Sequence, residues 1–201
     1  MIPRVLVALA LGALSWSLLE YVIHRWAGHD RRLRGNIFER EHTRHHSRGD
    51  YFAASWKKAG AAALLMALVI GPAILVAGPV GGITYAAGLA GFYLYYEILH
   101  RREHTHEGVG PYGRWARRHH FYHHFVDPSM NHGVTSPVWD LVFRTYRTPG
   151  VVPVPKKLSM RWLTDEKGQV REHLAAFYAL RPGKGTATKS TPAGSASAAL
   201  A

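Results

Sequence analysis

Residues 59–99 read AGAAALLMALVIGPAILVAGPVGGITYAAGLAGFYLYYEIL and carry one charged side chain, Glu97. They form two apolar blocks, 59–77 and 80–99, on either side of an uncharged turn at residues 78–82. Each block approaches the roughly 20 apolar residues that cross a bilayer as a helix. Pro72 in the first block is expected to kink its helix, which membrane helices tolerate. The stretch therefore predicts a transmembrane hairpin.

A third apolar block lies at the start of the chain. Residues 2–23 are nearly all apolar, with Arg4 and Glu20 as the charged exceptions, and match the length of one spanning helix. A signal peptide is the alternative interpretation, but the block leads into Glu20-Tyr21 and a histidine cluster rather than a small-residue cleavage site. We therefore predict an all-α, integral-membrane helical bundle of about three spans.

The distribution of basic residues predicts the orientation of this bundle. The polar segment 24–58 carries nine Lys and Arg residues, the segment from residue 100 onward is also basic, and the turn at 78–82 has none. By the positive-inside rule, both basic segments lie on the cytoplasmic side and the turn lies outside. Because a hairpin returns the chain to the side it left, the two segments can form one cytoplasmic helical cap at the membrane boundary.

Length and composition limit the remaining possibilities. The 201 residues fit one domain, predicted over residues 1–178, followed by a Gly-, Pro- and Ser-rich tail at 179–201 that is predicted to be disordered. The absence of cysteine excludes disulfides, thiolate zinc sites and iron–sulfur clusters. The net charge of +12 admits nucleic acid, an anionic membrane face or an acidic protein as partner. Since zinc-finger spacing and RNA-binding aromatic signatures are lacking, we predict no nucleic-acid partner.

Histidine is the residue type whose placement is most informative, because 13 of the 14 lie between His24 and His132. Ten fall into four clusters: His24 and His29; His42, His45 and His46; His100 and His104; and His120, His123 and His124. Spacings of three and four place side chains on one face of a helix. The five-residue spacing of the first cluster does not, so Gly28 is expected to end the helix in a left-handed conformation that lets His29 fold back.

Ten convergent imidazoles exceed the coordination shell of one ion, and therefore predict two five-coordinate metal ions. Neutral imidazole suits Fe, Zn, Cu and Ni, whereas one structural zinc needs only four ligands. The two halves of the chain supply five histidines each. An interfacial pH-sensing patch is the alternative, but it does not explain the repeated His-x2-His-His spacing.

Other polar residues are candidates for supporting roles. Carboxylates can orient histidine ligands, and six are suitably placed in the sequence: Glu20, Glu41, Glu97, Glu103, Asp127 and Asp140. A salt bridge to a neighbouring arginine is the alternative for each of them. His106, His119 and His132 lie outside the cluster pattern and are left open as contacts to metal, substrate or water.

The four clusters resemble the histidine boxes of the fatty acid hydroxylase/sterol desaturase superfamily of membrane di-iron enzymes. The likeness runs from about Glu20 to Tyr146, and residues 133–146, GVTSPVWDLVFRTY, are similar to the segment that follows the last box in fatty acid 2-hydroxylases. Carotenoid hydroxylases share a similar box pattern. One His-x2-His-His alone is a weak signal, but four boxes in order around a hairpin are specific.

This resemblance implies a cytoplasmic cap holding two irons, which activate O2 and oxidise a C–H bond of a membrane lipid. It also implies that the ten clustered histidines are the metal ligands, without a catalytic residue beyond them; zinc can replace iron in a purified sample. The chain is short for this family and shows no fused haem-binding domain. An external electron donor of the ferredoxin or cytochrome type is therefore expected, and the basic surface could steer an acidic donor.

Several functions stay open at this level. The similarity of residues 133–146 to fatty acid 2-hydroxylases favours hydroxylation of a fatty acyl chain in lipid biosynthesis. A lipid desaturase and a carotenoid or sterol hydroxylase are alternatives, because a hydroxyl group and a double bond follow from the same hydrogen abstraction. A non-catalytic membrane metal-binding protein is an alternative of another class, as is a basic membrane anchor that binds no metal.

Overall fold

The computed structural model describes residues 2–182 and is mostly helical. In chain order the helices and strands are α1 (Ile2–Val22), a π-helical turn (Ile23–Gly28), a 3-10 turn (Arg31–Leu33), α2 (Ile37–Arg48), α3 (Ser55–Thr105), α4 (Gly110–Phe125), α5 (Val138–Val142), β1 (Val152–Pro155), 3-10 turns at Lys156–Leu158 and Glu172–Leu174, and β2 (Tyr178–Arg181). Met1 and residues 183–201, which include most of the predicted tail, lie outside the described residues.

Helix α3 is a hairpin rather than one straight rod. Its backbone leaves helical geometry at Gly78, with φ 73° and ψ 170°, a conformation that glycine adopts without a Cβ clash. A Cβ on Gly82 would overlap the backbone of Ile74, and residues 58 and 97 form an ion pair across the two arms. Arms 55–77 and 79–105 are therefore antiparallel, as predicted, and the backbone break at Gly78 lies within the predicted turn at residues 78–82.

The helices that could cross a membrane are Ile2–Gly28 and Ser55–Thr105, with mean hydropathy of 1.9 and 2.4 over their most apolar windows. Large apolar side chains near the hairpin turn are almost fully exposed, including Leu75 at 87% and Val76 at 90%. An aqueous surface rarely carries a continuous apolar patch of this kind. These features support a membrane protein.

Helix α1 packs closely against the second arm of α3 through glycines. A Cβ on Gly12 would overlap the carbonyl oxygen of Tyr85, and a Cβ on Gly88 would overlap that of Leu9. Small residues let membrane helices approach at backbone distance, where van der Waals contact is greatest. The contact holds the carboxyl end of α1 beside the carboxyl end of α3.

We expect Gly88→Ala to destabilise this helix pair, because the added methyl group meets main-chain atoms that cannot rotate away. Overpacking of this kind costs about 1–3 kcal/mol. Gly91→Ala is the matched control, since a Cβ there has nothing within 4 Å. Thermal unfolding in detergent should show a lower midpoint for Gly88→Ala and an unchanged or higher one for Gly91→Ala. Equal midpoints would contradict the close contact.

The polar cap is built from α2, α4 and the carboxyl-terminal segment. Asn36 starts α2, accepting a hydrogen bond from the Glu39 amide at 2.8 Å, and Gly49 ends it with φ 69°. The cap has its own apolar core, whose buried members are Phe121, Phe125, Val152, Val154, Met160, Trp162, Leu163, Leu174 and Tyr178. This core fixes α4, which carries the last histidine cluster.

Two features of the cap differ from the prediction. Strands β1 and β2 form a parallel pair, with Val152 opposite Tyr178, so the fold is not purely α-helical. Strand β2 also continues to Arg181, three residues past the predicted domain end at 178. The sequence of β1, Val-Pro-Val-Pro, resembles a turn. It becomes a strand because Val152 and Val154 are fully buried in the cap core.

Candidate metal centre

A π-helical turn places the first histidine cluster. Residues Ile23–Gly28 continue α1 with the wider π-helical winding, in which residues five apart are bonded neighbours. The rings of His24 and His29 consequently lie 5.4 Å apart. The predicted left-handed Gly28 is wrong, since its φ is not positive. The absence of a side chain at Gly28 instead lets α2 pack close to this turn, because a Cβ there would lie 3.0 Å from Cδ2 of His42.

All ten patterned histidines converge in two groups of five. The first histidine group consists of His24, His29, His42, His46 and His123, and the second of His45, His100, His104, His120 and His124. Within each group one ring nitrogen of every member lies within 4.8 Å of the others. The Nε2 atoms of His29 and His42 are 2.8 Å apart, and those of His104 and His120 are 2.9 Å apart.

Each group takes four histidines from one half of the chain and one from the other. In α2, His42 and His46 face the first group while His45 faces the second. In α4 the division is reversed, with His123 in the first group and the flanking pair in the second. The His46 and His124 rings stack 4.0 Å apart at 3°, which joins the two groups.

The histidines are held as neutral imidazoles. Burial lowers the pKa of the seven clustered histidines outside the candidate spans from the usual 6.5, to about 4 for His29 and His45 and well below 6.5 for the others. A neutral ring keeps a lone pair on one nitrogen. The whole centre therefore presents lone pairs rather than positive charge at ordinary pH.

Backbone carbonyls orient several of the rings. Nδ1 of His45 bonds the carbonyl of Tyr51 at 2.7 Å, and Nδ1 of His123 bonds that of Met130 at 2.8 Å. Nδ1 of His24 likewise bonds the carbonyl of His132. Donation from Nδ1 fixes the tautomer whose Nε2 lone pair points into the group. The sequence could not reveal these acceptors, because every residue carries a carbonyl.

The two groups fit metal ions. Nε2 of His24, His46 and His124 is buried and has no hydrogen-bond partner among residues 2–182. Several other Nε2 atoms contact only one another, although two lone pairs repel. A cation at the centre of each group would satisfy these atoms together. All-imidazole donors suit Fe, Zn, Cu or Ni and disfavour Mg and Ca.

Two of the six candidate carboxylates lie beside histidines. Glu103 is fully buried, with Oε2 3.9 Å from Nδ1 of His120. Asp140 is also fully buried and accepts hydrogen bonds from Nε2 of His119 at 3.1 Å and from the His132 amide at 2.8 Å. Asp140 therefore anchors the loop whose His132 carbonyl holds His24.

The other four carboxylates have different partners. Glu20 accepts hydrogen bonds from the Val134 and Thr135 amides at 2.6 and 3.1 Å, which ties α1 to the loop after α4. The remaining pairs are Glu41 with Lys57 and Tyr51, Glu97 with Lys58, and Asp127 with Ser129. These nearer donors take the four carboxylates, which therefore bond to groups other than the clustered histidines.

The three histidines outside the pattern lie in different environments. The His132 ring is 5.2 Å from that of His123, at the edge of the first group, and its Nε2 bonds the Ser129 carbonyl. His119 is buried and bonded to Asp140. His106 is exposed beside Thr105. None of them joins either group of five.

We expect Asp140→Asn to weaken metal binding about 10–100-fold, the usual cost of losing a partner that orients a ligand. The amide nitrogen cannot accept the hydrogen bonds that position the His132 carbonyl. Asp165→Asn, in an exposed turn, is the control. Titration of the metal-stripped protein with Zn²⁺ measures the change. Equal affinity in both variants would show that the loop does not support the ligands.

An apolar cavity of about 550 Å³ opens onto both histidine groups. Its wall includes His24 and His42 of the first group and His45 and His100 of the second. From there it runs between α1 and the two arms of α3, where side chains such as Leu65, Met66 and Leu89 line it. Apolar cavities of this size with a few polar groups at one end are typical ligand sites.

The fold and site define a class of membrane protein in which histidine groups able to bind metal lie at the ends of apolar helices. Residues 9–145 match the family model described as Fatty acid hydroxylase, and the chain belongs to that family. The predicted superfamily resemblance is thereby confirmed.

Similar proteins also support membership of this family. The chain is 28% identical over 158 residues to the dihydroceramide fatty acyl 2-hydroxylase FAH2 of Arabidopsis thaliana, covering 77% of this chain and 66% of that protein. It is 28% identical over 144 residues to the fatty acid 2-hydroxylase of Homo sapiens, covering 67% of this chain but 38% of the relative. A solved structure of full-length Scs7p, with only the hydroxylase domain visible, superposes with a TM-score of 0.56 at 27% identity over 71% of this chain and 57% of that one.

Proposed function

We propose that this protein is an O2-dependent hydroxylase that oxidises a C–H bond in a fatty acyl chain of a membrane lipid, at a di-iron centre. The observation that carries the proposal is that two five-histidine groups border one apolar cavity. Each group offers five neutral nitrogen donors, which meets the predicted count for two five-coordinate ions.

Iron is the metal that we assign to both groups. When bound, two irons would supply the O2 activation that attack on an unactivated C–H bond requires. The ten histidines would hold the metals. Apolar and aromatic side chains of α1 and of both arms of α3 would exclude water from the cavity, among them Trp16, Leu19, Leu65, Met66, Leu89 and Tyr93.

Electron balance requires a partner. Hydroxylation by O2 converts R–H to R–OH and reduces the second oxygen atom to water, which consumes two electrons and two protons. The chain has no cysteine to hold an iron–sulfur cluster, so we propose an external one-electron donor of the ferredoxin or cytochrome type. The excess of basic residues would favour an acidic donor.

The substrate class follows from the cavity and from the relatives. The cavity begins at histidines and continues among apolar side chains of the candidate spans. A lipid chain could enter it from the bilayer without leaving an apolar environment. Relatives named as fatty acid and dihydroceramide 2-hydroxylases support an acyl chain over a sterol or carotenoid.

We further propose that α1 and the two arms of α3 cross the membrane three times, with the histidine groups on the cytoplasmic side. Both histidine-bearing ends, at residues 24–58 and from 100 onward, meet in one cap. Neither end could reach the other if they lay on opposite faces of the bilayer. The basic residues of both segments favour the cytoplasm.

The test combines metal content with lipid analysis. Protein purified in detergent should contain about two irons, or substituting zincs, per chain. Cells that produce it should accumulate hydroxylated acyl chains that take up label from ¹⁸O2, while cells with His45→Ala should not. Two metals with no oxygen-labelled or desaturated lipid would favour a non-catalytic metal-binding protein. A new double bond without oxygen incorporation would favour a desaturase, and absence of metal would contradict the centre itself.

A further inference from the structure

A second cavity, of about 280 Å³, lies in the cap outside the candidate spans. Its wall includes three arginines of α4, Arg114, Arg117 and Arg118, and the carboxylate of Glu107. That carboxylate already accepts a hydrogen bond from Nε2 of His173 at 2.9 Å. Because three positive charges outweigh one negative charge, the cavity attracts anionic groups.

Further arginines lie at the edge of this cavity. Arg114 is exposed in the wall itself. Arg102 is also exposed, and its carbonyl accepts a hydrogen bond from Nη2 of Arg117 at 2.6 Å. Exposed Arg147 directly follows Tyr146, which lines the wall. The three exposed arginines form a basic rim that extends the positive charge of the cavity onto the protein surface.

Trp162 connects the second cavity to the second histidine group. It lines the wall, and its indole Nε1 donates a hydrogen bond to the carbonyl of His104 at 3.2 Å. Its ring stacks on that of Phe121 with centroids 6.0 Å apart at 8°. The Phe121 ring in turn lies 5.2 Å from the ring of His104. An electron that reaches Trp162 is therefore one hydrogen bond from the backbone of a clustered histidine.

Trp115 gives the second cavity a link toward the first histidine group. It lines the wall, and its ring stacks on that of His119 at 5.0 Å and 27°. His119 bonds the carboxylate of Asp140, which also holds the His132 amide. The His132 carbonyl orients His24 of the first group. The wall of one basic cavity is thus in contact with the supports of both groups.

The two cavities reach the histidines through different residues. The apolar cavity is bordered by four clustered histidines: His24, His42, His45 and His100. The residues of the second cavity contact His104 and His119 instead. Within residues 2–182, the two cavities share no lining residue. A lipid chain in the apolar cavity would therefore leave the second cavity accessible to a partner.

We propose that an acidic one-electron donor protein docks on the basic rim over the second cavity, and that its electrons reach the second histidine group through Trp162. This proposal rests on the proposed function, in which one hydroxylation consumes two electrons. Each docking transfers one electron from the donor to the histidine-held centre, and the donor is oxidised by one electron. Two successive dockings supply both electrons.

The hydrogen bonds of Arg117 favour a protein over a small anion as the occupant. Its Nε donates to the carbonyl of Glu103 at 2.9 Å, Nη1 to that of Gly113 at 3.1 Å and Nη2 to that of Arg102. Tight binding of phosphate or carboxylate uses the N–H groups of a guanidinium fork. Those of Arg117 are occupied, so it contributes charge rather than a fork, which suits attraction of an acidic protein surface.

Docking is tested with the full chain in lipid nanodiscs, loaded with Zn²⁺, which accepts no electron. The probe is an acidic plant-type [2Fe–2S] ferredoxin, a donor of low reduction potential. Its binding is measured at about 10 mM and about 1 M NaCl, where charges act over roughly 30 Å and 3 Å. Arg114→Glu is compared with Arg34→Glu, which changes the net charge equally at an exposed position outside the cavity wall.

We expect Arg114→Glu to weaken ferredoxin binding about tenfold at low salt and to have no effect at high salt, because reversing one exposed charge acts through a screened field. Arg34→Glu should bind ferredoxin as the wild type does. Equal weakening by both variants would show attraction by net charge alone and overturn the docking site. Weaker binding of inorganic phosphate by Arg114→Glu, with ferredoxin binding unchanged, would make the cavity a phosphate site and also overturn it.

The role of Trp162 is tested by mixing reduced ferredoxin with oxidised, iron-loaded protein in the absence of O2. Trp162→Phe should bind ferredoxin with unchanged affinity but lose the fast phase of ferredoxin oxidation, because phenylalanine cannot bond the His104 carbonyl. Trp139→Phe is the matched control, since it loses a comparable indole hydrogen bond, to Oγ of Ser17 at 3.1 Å, outside the cavity wall. A fast phase retained in folded Trp162→Phe would overturn this path.

The docking site and the proposed function fail differently. Wild-type protein that binds ferredoxin through Arg114 and accepts its electrons, but hydroxylates no lipid, would remove the proposed function and keep the docking site. Wild-type protein that hydroxylates lipid, with ferredoxin binding unaffected in Arg114→Glu, would keep the function and remove the docking site. Zn²⁺-loaded protein that binds no ferredoxin even at low salt would overturn the docking site whatever the activity.

Discussion

Alanine at His123 or at His45 is expected to reduce bound metal from about two ions per chain to about one, and to lower hydroxylation at least ~100-fold. These are the two histidines that cross between halves, His123 into the first group and His45 into the second. Each variant removes one ligand of one group and leaves five in the other. Two ions acting together would be needed for O2 activation, so the remaining ion should not sustain activity.

Metal analysis of detergent-purified variants measures this result directly, without dependence on turnover. His106→Ala is the matched control, because His106 is exposed and bonded to Thr105 rather than to either group. It should retain wild-type metal content. Loss of both ions from each single variant would show that the ten histidines form one indivisible site, and unchanged content would exclude these two residues as ligands.

Acid is expected to release the metals and then unfold the cap in a steep transition below pH 6.5. Burial holds the pKa of the clustered histidines outside the candidate spans below 6.5 in the folded protein, at about 4 for His29 and His45. As pH falls through 6.5, the unfolded chain binds protons that the folded chain does not, so stability falls with pH between about 6.5 and 4. Above 6.5 neither state binds these protons, and this contribution to the pH dependence vanishes.

The expected size is large because the effect is repeated. One proton per histidine bounds its contribution to the slope at about 1.4 kcal/mol per pH unit, and the lowered pKa values of the clustered histidines outside the candidate spans act in the same direction. The free energy of unfolding should therefore fall steeply as the pH drops below 6.5. Near-ultraviolet circular dichroism of the metal-free protein should show the transition, and added Zn²⁺ should move it to lower pH, because metal competes with protons. A flat profile down to about pH 4 would contradict burial of neutral imidazoles.

The sequence by itself determined the helical hairpin and the histidines that converge. Apolar length and the Gly78-Pro79 turn specify a folded-back helix pair, because these are properties of consecutive residues. The spacing in His42-x2-His45-His46 gives one helix face whatever surrounds it. The ten histidines were identified for the same reason, since their periodicity is local.

Tertiary structure decided how those residues are divided and supported. Around the axis of α2, His46 lies about 40° from His42 in one direction and His45 lies about 60° from His42 in the opposite direction. These angles alone do not assign the three histidines to groups. The packing of α4 against α2 determines which group each one joins. The π-helical turn at Ile23–Gly28 follows from packing against α2, not from an end signal at Gly28. Carbonyl acceptors at Tyr51, Met130 and His132 have no signature in residue type. Glu20 could have bonded to a nearby histidine, but it accepts hydrogen bonds from the amides of Val134 and Thr135, which are 114 and 115 residues away. Residue types alone do not distinguish such partners, because the contact depends on which segments the fold brings together.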